Sequence, residues 1–330
     1  MKLLLKKIID TPGISALIIL ILILLAFQIY TGGLFFNPYN IELILTIWPE
    51  LGIVVIGVVI LMIAREFDLS VGSTFALSPM LMQYLFAHTP LNPWSTIFLG
   101  LAAAALVGLV NGMLTIYKRI PSFIVTLGML FIVRSIVVAL VTRHDKADEF
   151  PMDFFIYDFG LIRASFIWFI GITLILGYVL HRTNFGNWIY ATGGQTEAAQ
   201  NMGIPVNKVK IGCFMLCSVL SGFAGIIQSF RAGGFVLPNL GTGMELEVIA
   251  AAVVGGTALF GGYGSVLGAL VGALLIRTID NGFIMSRVPI EYFRTALGLM
   301  IIGAVLVNTD LQRWAQGIRT DNNSDKKDTR

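Results

Sequence analysis

Apolar residues run along this chain in long stretches, not in the short alternations of a soluble fold. Ten such runs, each closed by polar residues or Gly/Pro clusters, cover 14–30, 41–64, 71–87, 95–117, 121–142, 163–181, 209–230, 246–260, 264–280 and 292–308. A helix crosses the hydrocarbon of a bilayer in about 20 mostly apolar residues. The pattern therefore predicts an all-α, polytopic membrane helix bundle of about ten transmembrane spans. The eighth run is too short for an upright crossing and is expected to be tilted, broken or re-entrant.

Composition narrows this further. Hydrophobic residues make up 56% of the 330 positions and charged residues 12%, with a mean hydropathy of +0.84. A soluble domain carries roughly 25% charged residues, so about half that density leaves much of the surface to lipid. The expectation is one transmembrane domain over 1–314 and a polar tail over 315–330. Lys2, Lys6 and Lys7 precede the first run, which lacks a small-x-small cleavage site and is read as an uncleaved helix. The net charge of +3 is small and dispersed, which argues against nucleic acid as a partner. Cys213 and Cys217 lie inside one apolar run and read as buried hydrophobes. With a cytoplasmic N-terminus, the inner segments hold twice as many Lys and Arg as the outer ones, which predicts both termini on the cytoplasmic side. Arg143, Lys146, Arg163, Arg231, Arg277, Arg287 and Arg294 form the outer set.

Two series of small residues, Gly100-Ala104-Gly108-Gly112 and Gly264-Gly268-Gly272, recur every fourth position and predict close helix packing. The run Gly261-Gly262-Tyr263-Gly264 is no phosphate loop, because no Lys-Ser/Thr follows it. His88, His144 and His181 fall at run ends, outside any metal or catalytic spacing. The sequence points to no enzyme, metal or cofactor. If ATP is used, another chain hydrolyses it.

The longest inner loop, about 182–208, contains a helix-like stretch from Gln195 to Met202. Glu197 suits the positive end of a helix dipole, Gly203 suits a C-terminal stop, and Pro205 prevents continuation. This reads either as a docking element or as an amphipathic connector on the membrane surface.

Glu197-Ala198-Ala199-x-x-x-Gly203 resembles the EAA loop of ATP-binding-cassette importer permeases, and GNWIYATGGQTEAAQNMGI around it resembles their ribose-type sugar branch. Four further segments agree in order: DLSVGS at Asp68–Ser73, Asn111-Gly112 followed by IPSFIVTLGML from Ile120, the long glycine-rich stretch from Gly241, and Asn281-Gly282. The resemblance runs from the second run to the tenth. It implies a permease subunit of the bacterial inner membrane that moves a monosaccharide or similar small polyhydroxylated solute. Its implied partners are a cytoplasmic ATPase docked on the loop, a periplasmic or lipid-anchored solute-binding protein, and a second permease copy or paralogue. It assigns Glu197, Ala198, Ala199 and Gly203 to ATPase coupling. One departure stands out: Arg65-Glu66-Phe67 replaces the Gly-Gly-Ile that usually precedes the aspartate of DLSVGS.

Ionisable groups inside apolar runs are expensive and mark pathways or paired structural sites. Glu50, after Trp48-Pro49, reads either as part of a polar, aromatic-lined patch for a polyhydroxylated solute or as a bonded helix kink. Asp68 and Ser70 can cap the third run, with Arg65 placed to pair with Asp68, or can face the pathway. Glu245 and Glu247 begin the eighth run and Asp280 and Asn281 end the ninth; both pairs read as interfacial or as facing the pathway, with Asn281 a pathway candidate. Arg134 reads as snorkelling to the interface or as a structural pair, and Gln228 and Asn111 as helix glue. Arg231 and Arg287 are the candidate contacts for the solute-binding protein. The competing readings are an ion-gradient-driven secondary transporter, disfavoured by the ATPase-type loop, and an intramembrane enzyme, for which no residue cluster exists.

Overall fold

A computed structural model describes residues 14–141, 153–160, 162–233, 236–237, 239–289, 292–303 and 306. Lys2, Lys6, Lys7, Arg143, His144, Lys146 and the polar tail lie outside them. The described chain is helical apart from turns and one isolated bridge between Asp158 and Arg163. In chain order the helices are α1 (Ile14–Tyr30), α2 (Pro38–Ile63), α3 (Val71–His88), α4 (Pro93–Tyr117), α5 (Ser122–Val141), α6 (Asp153–Ile156) and α7 (Ala164–Arg182). There follow α8 (Asn184–Gly194), α9 (Thr196–Asn201), α10 (Val206–Arg231), α11 (Met244–Val254), α12 (Val266–Met285) and α13 (Tyr292–Gly303).

Each of the ten apolar runs appears as a helix, from α1 to α5 and then as α7, α10, α11, α12 and α13. Six of these, α2, α4, α5, α7, α10 and α12, are long and apolar enough to cross a membrane. Their starts are written locally. Asn37 accepts from the Tyr39 amide at 3.0 Å ahead of Pro38, and Asn92 accepts from the Ser95 amide at 2.9 Å ahead of Pro93. Proline at a first helical position loses no hydrogen bond and presets the backbone.

The bundle is organised around α2 and α10. From Pro49 to Ala64 every residue is buried, a helix apolar on all sides and therefore placed among other helices. α10 packs against α2, α3 and α4, while α2 packs against α7, α11 and α12. Small residues set the approach distance. Gly108 faces the backbone of Phe214 and Met215, Gly112 faces Ile211, and Gly100 backs onto the Ser78 carbonyl. Gly268 and Gly272 seat against Gly255 and Ala251, so both glycine series serve as helix contacts. Cys213 and Cys217 are free and buried.

Gly225 of α10 lies against the Phe75 carbonyl of α3, where an added Cβ would overlap the oxygen. Gly225→Ala is expected to cost roughly 1–3 kcal/mol through overpacking. Gly128→Ala, at a glycine with nothing within 4 Å of an added Cβ, is expected to be neutral. Melting of the two detergent-solubilised variants checks this; equal melting temperatures would contradict the packing.

The eighth run departs from its expected length. α11 has 11 residues, about 16 Å, and covers roughly half a hydrocarbon core. It ends at Gly255-Gly256, the latter at φ +89°. Residues 257–264 then turn back, and the Gly262 amide donates to the Ile63 carbonyl at 2.9 Å. At its other end, Gly241 rests on the backbone of Gly72 at the start of α3.

Candidate coupling face and polar interior

The segment 182–208 folds as two helices where the sequence reading found one. Thr183 Oγ1 accepts from the Gly186 amide at 3.3 Å and starts α8. Extended Gln195 separates α8 from α9, which carries Glu197 in its first turn. α9 ends in a double stop. The Gly203 amide donates to Gln200 O at 2.9 Å and the Ile204 amide to Ala199 O at 3.1 Å, with Gly203 at φ +81°. This is the Schellman arrangement that glycine favours because it has no Cβ to strain there. Ala199 is buried, while Glu197 and Ala198 are exposed on the outer side of α9.

α8 is fixed to the bundle. Gly193 backs onto the Ile63 carbonyl, and Tyr190 Oη donates to Gly264 O at 2.8 Å. Burial, with the nearby Tyr263 adding to it, pushes the Tyr190 hydroxyl up to about 12, so it remains a donor across the physiological range. α9 instead borders a cavity of about 440 Å³, lined by Thr196 and Gln200 on one side and by Glu66, Thr115, Arg119, Ser122 and Lys210 on the others. Lys210 donates to Glu66 Oε1 at 2.6 Å.

Further in lies the Asp68 cluster. Asp68 is 1% exposed and accepts from the Ser70 amide at 2.7 Å and the Ser70 hydroxyl at 2.6 Å. Asn111 Nδ2 donates to Ser70 Oγ at 2.9 Å and stands 3.5 Å from Asp68 Oδ2, as does Ser218 Oγ. One carboxylate thus joins the start of α3 to α4 and α10. Two expectations are corrected here. Ser70 is the N-cap of α3 but makes no capping bond with its side chain, because its hydroxyl is spent on Asp68. Arg65, at φ +69°, forms no ion pair with Asp68; Glu66 and Phe67 turn the chain between them. Asn111 does act as helix glue.

A second set of charges occupies the opposite half of the bundle. Glu50, 3% exposed, holds Arg231 through two oxygens, from Nε to Oε1 and from Nη2 to Oε2 at 3.0 Å. Arg277 pairs with Glu247 at 3.4 Å and with Asp280 at 3.3 Å, and Arg163 lies 3.9 Å from Glu42. Arg231, expected as an outer contact for another protein, is engaged within its own chain, and Glu50 is its counter-ion. Arg287, with φ +55°, is exposed just beyond α12. Trp48 Nε1 donates to Leu270 O at 3.2 Å, and its ring meets Phe169 edge-on, so it binds α2 to α12 and α7. Asn281 is buried inside α12, not at a helix end, and donates to Asn40 Oδ1 at 2.9 Å. Arg134 donates to Leu240 O at 2.6 Å, a structural contact as expected.

The family model for the permease component of branched-chain amino acid transport systems matches residues 40–306. The chain belongs to this permease family. Among curated relatives, the fructose import permease FrcC of Rhizobium meliloti is 32% identical over 93% of this chain and 88% of its own length. The ribose import permease RbsC of Escherichia coli K12 is 33% identical over 89% of this chain and 93% of its own. The autoinducer 2 import permease LsrC of Salmonella paratyphi B is 31% identical over 78% and 74%. No solved structure matches.

As a permease of an ATP-binding-cassette importer, the chain is a multi-pass inner-membrane transport subunit and not itself an enzyme; ATP hydrolysis belongs to a separate subunit. Importers of this kind work with ATPase and solute-binding partners. In this permease the sequence reading missed α8, the Glu66–Lys210 pair and the Arg277 network. Lys210 and Arg277 each interrupt an apolar run, a signal that a buried cation needs a counter-ion. The counter-ion of Lys210 is 144 positions away and no local pattern names it.

Proposed function

We propose that this permease carries a monosaccharide or related small polyhydroxylated solute inward, and that α8–α9 is where its ATPase docks. The observation that carries the docking reading is α9 itself. A short helix presents exposed Glu197 and Ala198, buries Ala199, and is stopped sharply at Gly203. The solute class follows from the relatives, whose names cover fructose, ribose, xylose and arabinose. About ten spans over 1–314, with both termini cytoplasmic and a cytoplasmic tail, is the topology that puts this loop inside. Helices α1, α3, α11 and α13 then complete the count as shorter or tilted elements. The pathway runs between this chain and a second copy or paralogue, with Asp68, Ser70, Glu50, Trp48 and Asn281 supporting its walls through the contacts above. Exposed Arg287 is the contact for the periplasmic or lipid-anchored solute-binding protein.

Gly203→Asp places a side chain at a left-handed position and is expected to cost about 1–2 kcal/mol locally, enough to loosen α9. Glu197→Ala removes the carboxylate of the docking helix. Both are expected to insert normally, yet to lower solute uptake and ATPase stimulation together by about 10-fold. Uptake into proteoliposomes with the ATPase and binding protein, beside phosphate release, is the measurement. Wild-type values for both variants would remove α9 as the docking element. The solute is identified by thermal-shift screening of the cognate binding protein against a sugar panel.

A further inference from the structure

The ion pair between Lys210 and Glu66 has a place in the bundle that packing alone does not require. Both side chains are about nine-tenths buried, at 11% and 10% exposure, and their atoms are 2.6 Å apart. Lys210 stands near the start of α10, directly after the turn that stops α9. Glu66 belongs to the short link between α2 and Asp68, two residues before that aspartate. The link is tied to α5 as well, since the Phe67 amide donates to Ser122 Oγ at 3.3 Å.

The two helices of the docking segment differ in the room they have. α8 has none: Gly193 is wedged against Ile63 O, and Tyr190 and Gly262 are hydrogen-bonded to neighbouring backbone. α9 borders the cavity of about 440 Å³, which Thr196 and Gln200 line together with the Glu66–Lys210 pair. A push on α9 can therefore be absorbed by that space, unless something stiff connects α9 to the rest of the bundle. The stiff connection is the start of α10, clamped by Lys210 to the link that leads into the Asp68 cluster. A buried, well-paired salt bridge resists separation because each partner alone would keep an uncompensated charge.

We propose that Glu66 and Lys210 are a positioning pair that carries movement of α9 into the Glu66–Ser70 link, and so sets how much solute moves per ATP hydrolysed. The pair transmits; it touches neither solute nor nucleotide. It rests on α9 being the ATPase-docking element. Failure of that reading is distinguishable, because Gly203→Asp would then transport and stimulate hydrolysis like wild type whatever the pair does.

The test uses the complete importer in proteoliposomes, with solute uptake and phosphate release measured together. Glu66→Gln is isosteric and keeps a hydrogen bond to Lys210 without the charge. It is expected to hydrolyse ATP within about twofold of wild type while moving at least about fivefold less solute per ATP; Lys210→Met is expected to do the same. The reversed pair, Glu66→Lys with Lys210→Glu, is expected to recover the ratio to within about twofold of wild type. A wild-type ratio in either single variant overturns the proposal. So does a reversed pair no better than the single variants. If the single variants fail to assemble, the reversed pair decides: assembly with restored coupling supports the proposal, and failure to assemble or to couple shows a packing role and overturns it.

Discussion

Arg231→Ala is expected to be among the most damaging substitutions in this permease, lowering stability by about 3 kcal/mol and abolishing uptake. Removing the guanidinium leaves the Glu50 carboxylate, 4% exposed, with neither of its two donors. Glu50 lies inside α2, whose backbone amides are already bonded along the helix, so none is free to replace them. Arg231 is itself 28% exposed, which places the cost at the lower end of the range for a broken buried pair. Glu50→Gln combined with Arg231→Met removes both charges and is expected to regain most of the stability, because it is the unpaired charge that is costly. Thermal unfolding in detergent, read beside uptake, separates two roles. A double variant that is stable but inactive shows that charge at this place serves transport. A single Arg231→Ala variant that melts like wild type contradicts the pair.

Asp68→Ala is expected to be nearly as severe, and Asp68→Asn mild. The alanine variant deprives the Ser70 amide and hydroxyl of their acceptor and leaves the Asn111 and Ser218 donors without the carboxylate they approach. Unsatisfied buried donors cost about 1–3 kcal/mol each, so a loss of about 3 kcal/mol for the set is expected. Asparagine keeps one carbonyl oxygen for Ser70. Its amide would then face the Asn111 amide, but Asn111 Oδ1 has no partner, and turning that amide over replaces its bond to Ser70 Oγ with one from the new asparagine, so about one hydrogen bond is lost in all. The Ser218 hydroxyl can rotate to accept. Asp68→Asn is therefore expected to retain uptake within about threefold of wild type and to melt within about 1 kcal/mol of it. The check is uptake at matched expression together with melting. Loss of uptake by the asparagine variant with normal melting would mean that the negative charge itself takes part in the transport cycle.

These predictions rest on partners that the chain order hides. Glu50 and Arg231 were each conspicuous as charges in or beside apolar runs, and each invited a separate role, solute contact for one and protein docking for the other. They lie 181 positions apart and cancel one another. Asp68 and Arg65 show the reverse: proximity in sequence suggested a pair, but left-handed Arg65 turns the link, and Asp68 is satisfied by the Ser70 amide and hydroxyl, with Asn111 of α4 and Ser218 of α10 at 3.5 Å.

The α9 stop was legible, because its causes are local. A glycine at a left-handed position, a proline soon after it and a carboxylate in the first turn act over a few residues. α8 was not legible. Its sequence, Asn184–Gly194, is short and rich in glycine, and its hold comes from Ile63 and Gly264 far away in the chain.

By itself the sequence determined that this chain is a bundle of membrane helices, where its apolar runs form helices, which small residues let them touch, and which loop resembles a docking element. Those features follow from hydropathy, period and local backbone preference, which act within a turn or two. The tertiary structure alone decided which buried charges neutralise one another, that α11 is a half-length helix seated on α12 and α2, and that a cavity lies beside α9. Pairing inside a low-dielectric bundle is a matter of distance in space: Glu50 and Glu66 are tolerable because helices remote in sequence deliver Arg231 and Lys210, and Asp68 because hydroxyl and amide donors surround it.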